Sequence, residues 1–126
     1  MILDTSALIA ILRMEPEAEH FAALIEQADE VGISAASVLE ASLVVGHAGQ
    51  ADLDRLLATI NPTRHVVDEV QLTIARSAAL RYGRGSGSPA RLNYGDCFSY
   101  ALAMASGRPL LFKGDDFVHT DVAVAG

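Results

Sequence analysis

The chain has 126 residues, 51% hydrophobic and 20% charged, with a formal net charge of -7. That composition excludes a disordered or fibrous chain, the length suits one domain spanning residues 1–126, and the lone cysteine, Cys97, excludes an intrachain disulfide or a thiolate zinc site. With no signal-peptide pattern and no apolar run of the roughly 18 residues that a membrane span needs, a cytoplasmic protein without a membrane partner is expected.

Met1 to Asp4 reads as a short buried strand, with Thr5 and Ser6 capping a helix over Ala7 to Arg13. Pro16 opens a second helix, Glu17 to Ala28, in which Phe21, Leu24, Ile25 and Ala28 recur at helical spacing. Val31 to Ser34 is a second strand. Ser34 or Ser37 caps the helix that follows, and Gly46 to Gly49 ends it. Asp52 to Ile60 is another helix, stopped at Asn61-Pro62. His65 to Val67 is a short strand and Val70 to Tyr82 an amphipathic helix. Gly83 to Pro89 is rich in Gly and Ser and reads as the one flexible stretch. A helix beginning near Asp96, a strand at Pro109 to Phe112 and a last strand near Val122 to Val124 complete the chain. Strands alternating with helices predict an α/β fold: a short central parallel sheet of about five strands, with helices on both faces.

Three of these segments carry a single charge. Asp4 is alone in Met1 to Leu12, Glu40 in Gly32 to Gly46, and Asp96 between Arg91 and Arg108. An isolated carboxylate in an apolar run needs a cation, a metal or a set of donors. One such acid is most simply a helix cap or the partner of a buried Arg. Three in neighbouring segments, followed by Asp115-Asp116 after the strand at Leu110 to Phe112, point to one acidic site at the carboxyl ends of the strands. The cation that suits such a set is divalent and prefers oxygen ligands.

The acidity is uneven. Glu15, Glu17, Glu19, Glu26, Asp29 and Glu30 fall in one short stretch, whereas Val70 to Gly95 holds no acid and contains Arg76, Arg81, Arg84 and Arg91. That asymmetry allows a local phosphate-contacting surface on an acidic protein, or simply a solvated basic helix end. The candidate nucleic-acid contacts are Arg81, Arg84, Arg91, Tyr94 and Lys113. Tyr94 is placed there for stacking on a base, although it also reads as a rim or core aromatic. The four histidines are scattered without zinc-motif spacing and read as surface or core residues.

Ile2-Leu3-Asp4-Thr5-Ser6-Ala7, Ser37-Val38-Leu39-Glu40, Tyr94-Gly95-Asp96-Cys97 and Leu110 to Phe117 together resemble PIN-domain ribonucleases, and more narrowly the VapC toxins of bacterial toxin–antitoxin pairs. The likeness runs the length of the chain in the right order. It implies a Mg2+- or Mn2+-dependent endoribonuclease acting on structured RNA such as transfer or ribosomal RNA, forming a homodimer and inhibited by a cognate VapB-type antitoxin. The family's acidic quartet falls on Asp4, Glu40, Asp96 and one of Asp115 and Asp116. Asp116 is favoured because the family's last acid commonly precedes a Phe. Asp4 and Asp96 would be the principal metal ligands, with Glu40 and Asp116 completing the shell, and Thr5 or Ser6 would orient Asp4 or a bound water. An antitoxin Arg could enter the acidic pocket while its apolar helix lies along Ala7 to Arg13 and Ala22 to Ala28.

Two other readings compete: a PIN-fold module that binds protein or RNA without catalysis, and a phosphotransfer domain using Asp4 as nucleophile. The second wants another acid close after the first, which Thr5-Ser6-Ala7 does not supply.

Overall fold

The computed structural model describes all residues 1–126. Four parallel strands, β1 (Ile2–Leu3), β2 (Gly32–Ser34), β3 (Thr63–His65) and β4 (Leu110–Leu111), form a sheet in the order β3-β2-β1-β4. The helices are α1 (Thr5–Leu12), α2 (Ala18–Gln27), α3 (Ala35–Ile60), α4 (Glu69–Tyr82) and α5 (Tyr94–Ser106), with a 3-10 turn at Phe117–His119. None is long and apolar enough to cross a membrane.

Adjacent strand residues face opposite sides, so the two-residue strands feed two cores. Ile2 and Leu110 pack with α4 and α5 around Tyr82, Leu92, Tyr100 and Leu102. Leu3, Ile33 and Leu111 pack on the other side with Leu8 of α1, Phe21 of α2, and Leu53 and Leu57 of α3. The sheet is therefore sandwiched between helices, as the alternation predicts.

Several local expectations change. The fifth strand reduces to a single parallel bridge, Leu110 to Val124, with hydrogen bonds from Leu110 N–H to the Ala123 carbonyl and from Ala125 N–H back to Leu110. The third strand begins at Thr63, before His65. Gly46, at φ 64° and ψ -170°, leaves the helical path and ends the first part of α3, as expected there; a second helical part follows at once, before the expected Asp52, and runs through Ile60 to stop at a left-handed Asn61. Ser34, not Ser37, caps α3. The Gly83 to Pro89 stretch closes on itself: Leu92 N–H donates to the Tyr82 carbonyl, Arg84 N–H to the Leu92 carbonyl, and the Ser86 hydroxyl to the Gly83 carbonyl.

Candidate active site

The carboxyl ends of β1 and β2 lead directly into α1 and α3, and α5 packs against both strands. Asp4, Glu40 and Asp96 thereby line one cleft of about 410 Å³, together with Thr5, Ser6, Asn93 and Lys113. Beneath it, three short polar side chains tie the three helices together. The Thr5 hydroxyl donates to the Ser37 carbonyl at 3.1 Å, and Ser37 Oγ meets Ser99 Oγ at 3.1 Å. All three are buried, and each stands in register with an acid: Thr5 follows Asp4, Ser37 lies one helical turn before Glu40, and Ser99 one turn after Asp96. Composition alone does not flag Ser37 and Ser99; their spacing from the acids does.

Asp4 is the N-cap of α1, which corrects the assignment of that role to Thr5 and Ser6. Its Oδ2 accepts from Ser6 N–H at 3.0 Å and from the Ser6 hydroxyl at 2.6 Å. Ser6 Oγ in turn accepts from Lys113 N–H at 3.0 Å, tethering the segment after β4 to the cleft. Ser6 therefore orients Asp4, while the Thr5 hydroxyl is spent on joining α1 to α3. Asp4 Oδ1 is buried and has no hydrogen-bond partner, an arrangement that costs free energy unless something positive meets it.

Asp96 occupies the third position of α5 and forms a reciprocal cap with Asn93. Asp96 N–H donates to Asn93 Oδ1 at 2.9 Å, and Asn93 N–H donates to Asp96 Oδ2 at 3.0 Å. Two of the acids thus serve helix N-termini, where the backbone dipoles favour negative charge. Asp96 still does not ionise easily. Burial raises its pKa to about 7; the Asn93 hydrogen bond opposes that rise, and the charges of Asp4, Asp116 and Glu40 add to it. Of the doubled aspartate, Asp116 is the member whose charge acts on Asp96 in this way.

Glu40 reaches the cleft from α3 and lies against Gly95, the second residue of α5. A Cβ at residue 95 would overlap Glu40 Oε2 and stand 2.7 Å from Oε1. Gly95 is a site residue that the sequence reading missed, because its importance depends on a side chain from another helix.

Lys113 lies at the rim, but its ammonium is held by Glu15 at 2.8 Å and Glu17 at 3.2 Å. These carboxylates raise its pKa, and they occupy a group that the sequence offers to RNA. Arg81 likewise spans Asp121, at 3.8 Å, and the Tyr82 ring. Arg84, Arg91 and Tyr94 are exposed. Asp121 accepts from the Tyr100 hydroxyl at 2.5 Å and serves the fold. The Cys97 thiol is buried, donates to the Asn93 carbonyl, and is pushed up in pKa by burial.

No group of three or more His, Cys, Asp or Glu side chains is arranged to hold a metal ion; the acids share the cleft as mutually repelling charges. The donor set of carboxylate oxygens and an unpartnered buried Asp4 Oδ1 nonetheless fits the chemistry of a hard divalent cation.

A family model described as PIN domain matches residues 1–123. Ribonuclease VapC30 of Mycobacterium tuberculosis is 49% identical over 98% of this chain and 96% of its own length. Ribonuclease VapC28 of the same organism is 48% identical over 97% and 95%. Among solved structures, a toxin–antitoxin complex from Klebsiella pneumoniae contains a chain with a TM-score of 0.73 at 18% identity, covering 98% of this chain and 94% of that one.

Proposed function

The chain belongs to the PIN-domain family, in its VapC branch, and from that premise we propose that it is a metal-dependent endoribonuclease, the toxin of a type II toxin–antitoxin pair. The observation that carries this reading is the convergence of Asp4, Glu40 and Asp96 on one cleft whose nearest cation, Lys113, is already paired.

Hydrolysis of a phosphodiester needs an activated water and a means of neutralising the leaving oxygen, which carboxylate-bound Mg2+ or Mn2+ supplies. Asp4 and Asp96 would hold the ion. Ser6 fixes Asp4 Oδ2 and leaves Oδ1 to ligate; Asn93 takes one oxygen of Asp96 and leaves the other. Asp96, raised to about 7 by burial and its acidic neighbours, would hold a cation in its ionised form. Glu40 and Asp116 would complete the shell or act through water, and Glu40 is the secondary candidate for general base.

The substrate class is structured RNA, in the manner of transfer or ribosomal RNA loops. A VapB-type antitoxin would inhibit by placing an Arg among the acids. Its apolar helix has a fitting groove of about 480 Å³, lined by Ile11, Ala22, Ile25, Leu56 and Ile60. A homodimer is the proposed assembly.

The test is cleavage of total cellular RNA by the antitoxin-free protein with Mn2+ or Mg2+, with EDTA, and with Asp4→Asn and Asp96→Asn variants. Discrete fragments that vanish with EDTA and with either variant are the expected result. A folded, metal-supplemented wild type that yields none would favour a non-catalytic binding module, and cleavage surviving both variants would mean that the site is elsewhere.

A further inference from the structure

A second concavity adjoins the acidic cleft. It lies between α4 and α5, has a volume of about 610 Å³, and shares Asn93 with the cleft as a common wall. Its floor is apolar, with Ala75, Leu92 and Cys97, and its side is aromatic, with Tyr94 and Phe98. Tyr94 is 82% exposed. Its ring meets Phe98 edge-on, with centroids 4.9 Å apart and planes at 84°. This contact orients the ring, so a planar ligand stacking on it would pay little of the entropy of ordering a side chain.

The rim is cationic. Arg76 and Arg84 line the groove, are exposed and, like Arg13, Arg64 and Arg91, reach no carboxylate, whereas Arg55, Arg81 and Arg108 each do. In a chain of net charge -7, two unpaired guanidinium groups beside an exposed ring call for an anion attached to a flat apolar group. A nucleotide answers that description: its base stacks on an aromatic face while Arg side chains meet the flanking phosphates. Continuity with the acidic cleft through Asn93 puts such a base next to the phosphate that would be hydrolysed at the acids.

We propose that the α4–α5 groove is a base-binding subsite for an unpaired RNA nucleotide flanking the scissile phosphate, with Tyr94 as stacking platform and Arg76 and Arg84 as phosphate contacts. The proposal rests on the ribonuclease reading above and narrows its substrate to RNA with an accessible single-stranded base at the cut. An apolar surface of a partner protein would not require the two unpaired arginines.

The chain itself provides the reporter. It has no tryptophan and three tyrosines, and Tyr82 and Tyr100 are buried, so quenching of tyrosine emission by a stacked base reports Tyr94. The probes are a single-stranded octaribonucleotide and an abasic sugar–phosphate of the same length, titrated in Ca2+. The octamer is expected to quench the emission and to bind roughly 5- to 150-fold more tightly than the abasic probe, the range of a single base–aromatic stack. Tyr94→Ala should abolish that advantage, and Tyr94→Phe should keep it. Arg84→Ala should weaken both probes alike and lower the salt dependence.

Equal affinities for the two probes, or no quenching on binding, would overturn the subsite. So would a change in oligomeric mass, by light scattering, on Tyr94→Ala, since the groove would then be an interface between copies. The ribonuclease reading is checked separately. EDTA-sensitive cleavage by wild type alongside equal probe affinities would sink the subsite alone, whereas stacking without any cleavage would sink the nuclease and, with it, the groove's place beside a scissile phosphate, leaving a base-binding groove.

Discussion

Glu40 occupies the space that a side chain at Gly95 would fill. A Cβ there would overlap Glu40 Oε2, and the three nearest atoms that other parts of the fold bring to it all belong to the Glu40 carboxylate group. Gly95→Ala should therefore displace the carboxylate without straining the fold. Replacing a helical Gly by Ala favours the helix by about 0.5–1 kcal/mol. The expected outcome is a melting temperature equal to or above wild type with RNA cleavage reduced on the order of 100-fold, the scale of a displaced catalytic group. Thermal melts and cleavage rates measured on one preparation decide it; unchanged cleavage would remove Glu40 from the machinery.

Asp96 makes metal-free stability depend on pH in an unusual direction. Its carboxyl has an ordinary value of 3.8 and is raised to about 7, chiefly by burial. Between those values the folded chain keeps a proton that the unfolded chain has lost. The contribution of Asp96 to stability is thus full below about pH 4 and is lost as pH rises through about 7. In EDTA, Asp96→Asn keeps the acceptor that Asn93 N–H needs. It should be more stable than wild type at pH 8, on the order of 1 kcal/mol after allowance for screening at a half-buried group, with the difference vanishing by pH 4. Added Mg2+ should reverse the order above pH 7, because ion binding favours the ionised acid. A pH-independent difference between the two proteins would refute the assignment.

The doubled aspartate can be divided by mutation. Asp116 is among the charges that bear on Asp96 and raise its pKa. Asp116→Asn should lower kcat/KM by about tenfold or more, as removal of a metal-supporting carboxylate does, and should bring the Asp96 pKa down. Asp115→Asn should do neither. An NMR titration of Asp96 alongside the kinetics distinguishes a site role from a general effect of surface charge.

The three lone acids were legible in the sequence because an unneutralised carboxylate stands out in an apolar run. Their convergence follows from a parallel sheet, which puts the ends of β1 and β2 on one edge. What escaped was long-range. Lys113 reads as a free cation until Glu15, across the fold, takes its ammonium. Ser37 and Ser99 are small residues in apolar helices; their spacing from Glu40 and Asp96 flags them, but that they meet each other lies in the fold. At the junction of β1 and α1, Asp4, Thr5 and Ser6 are all good caps; which side chain turns back depends on the Thr5 hydroxyl finding Ser37. The last strand shrank to a bridge because only the Leu110 backbone is exchanged with that segment.

Ser6 links these features and yields the last prediction. Its hydroxyl donates to Asp4 Oδ2 at 2.6 Å and accepts from Lys113 N–H at 3.0 Å, so it holds both the carboxylate and the segment leading to Asp116. Ser6→Ala leaves the backbone N–H bond to Asp4 in place but removes a hydrogen bond to a charged group and strands the Lys113 amide. A stability loss of about 1–3 kcal/mol follows. With Asp4 free to rotate and the Asp116 segment untethered, apparent Mg2+ affinity should fall roughly 10- to 100-fold, the usual cost of losing a residue that orients a ligand. Ser6→Thr retains the hydroxyl and should recover most of the affinity. If Ser6→Ala loses stability but binds Mg2+ as wild type does, the hydroxyl serves the fold alone and Asp4 is oriented by its backbone bond.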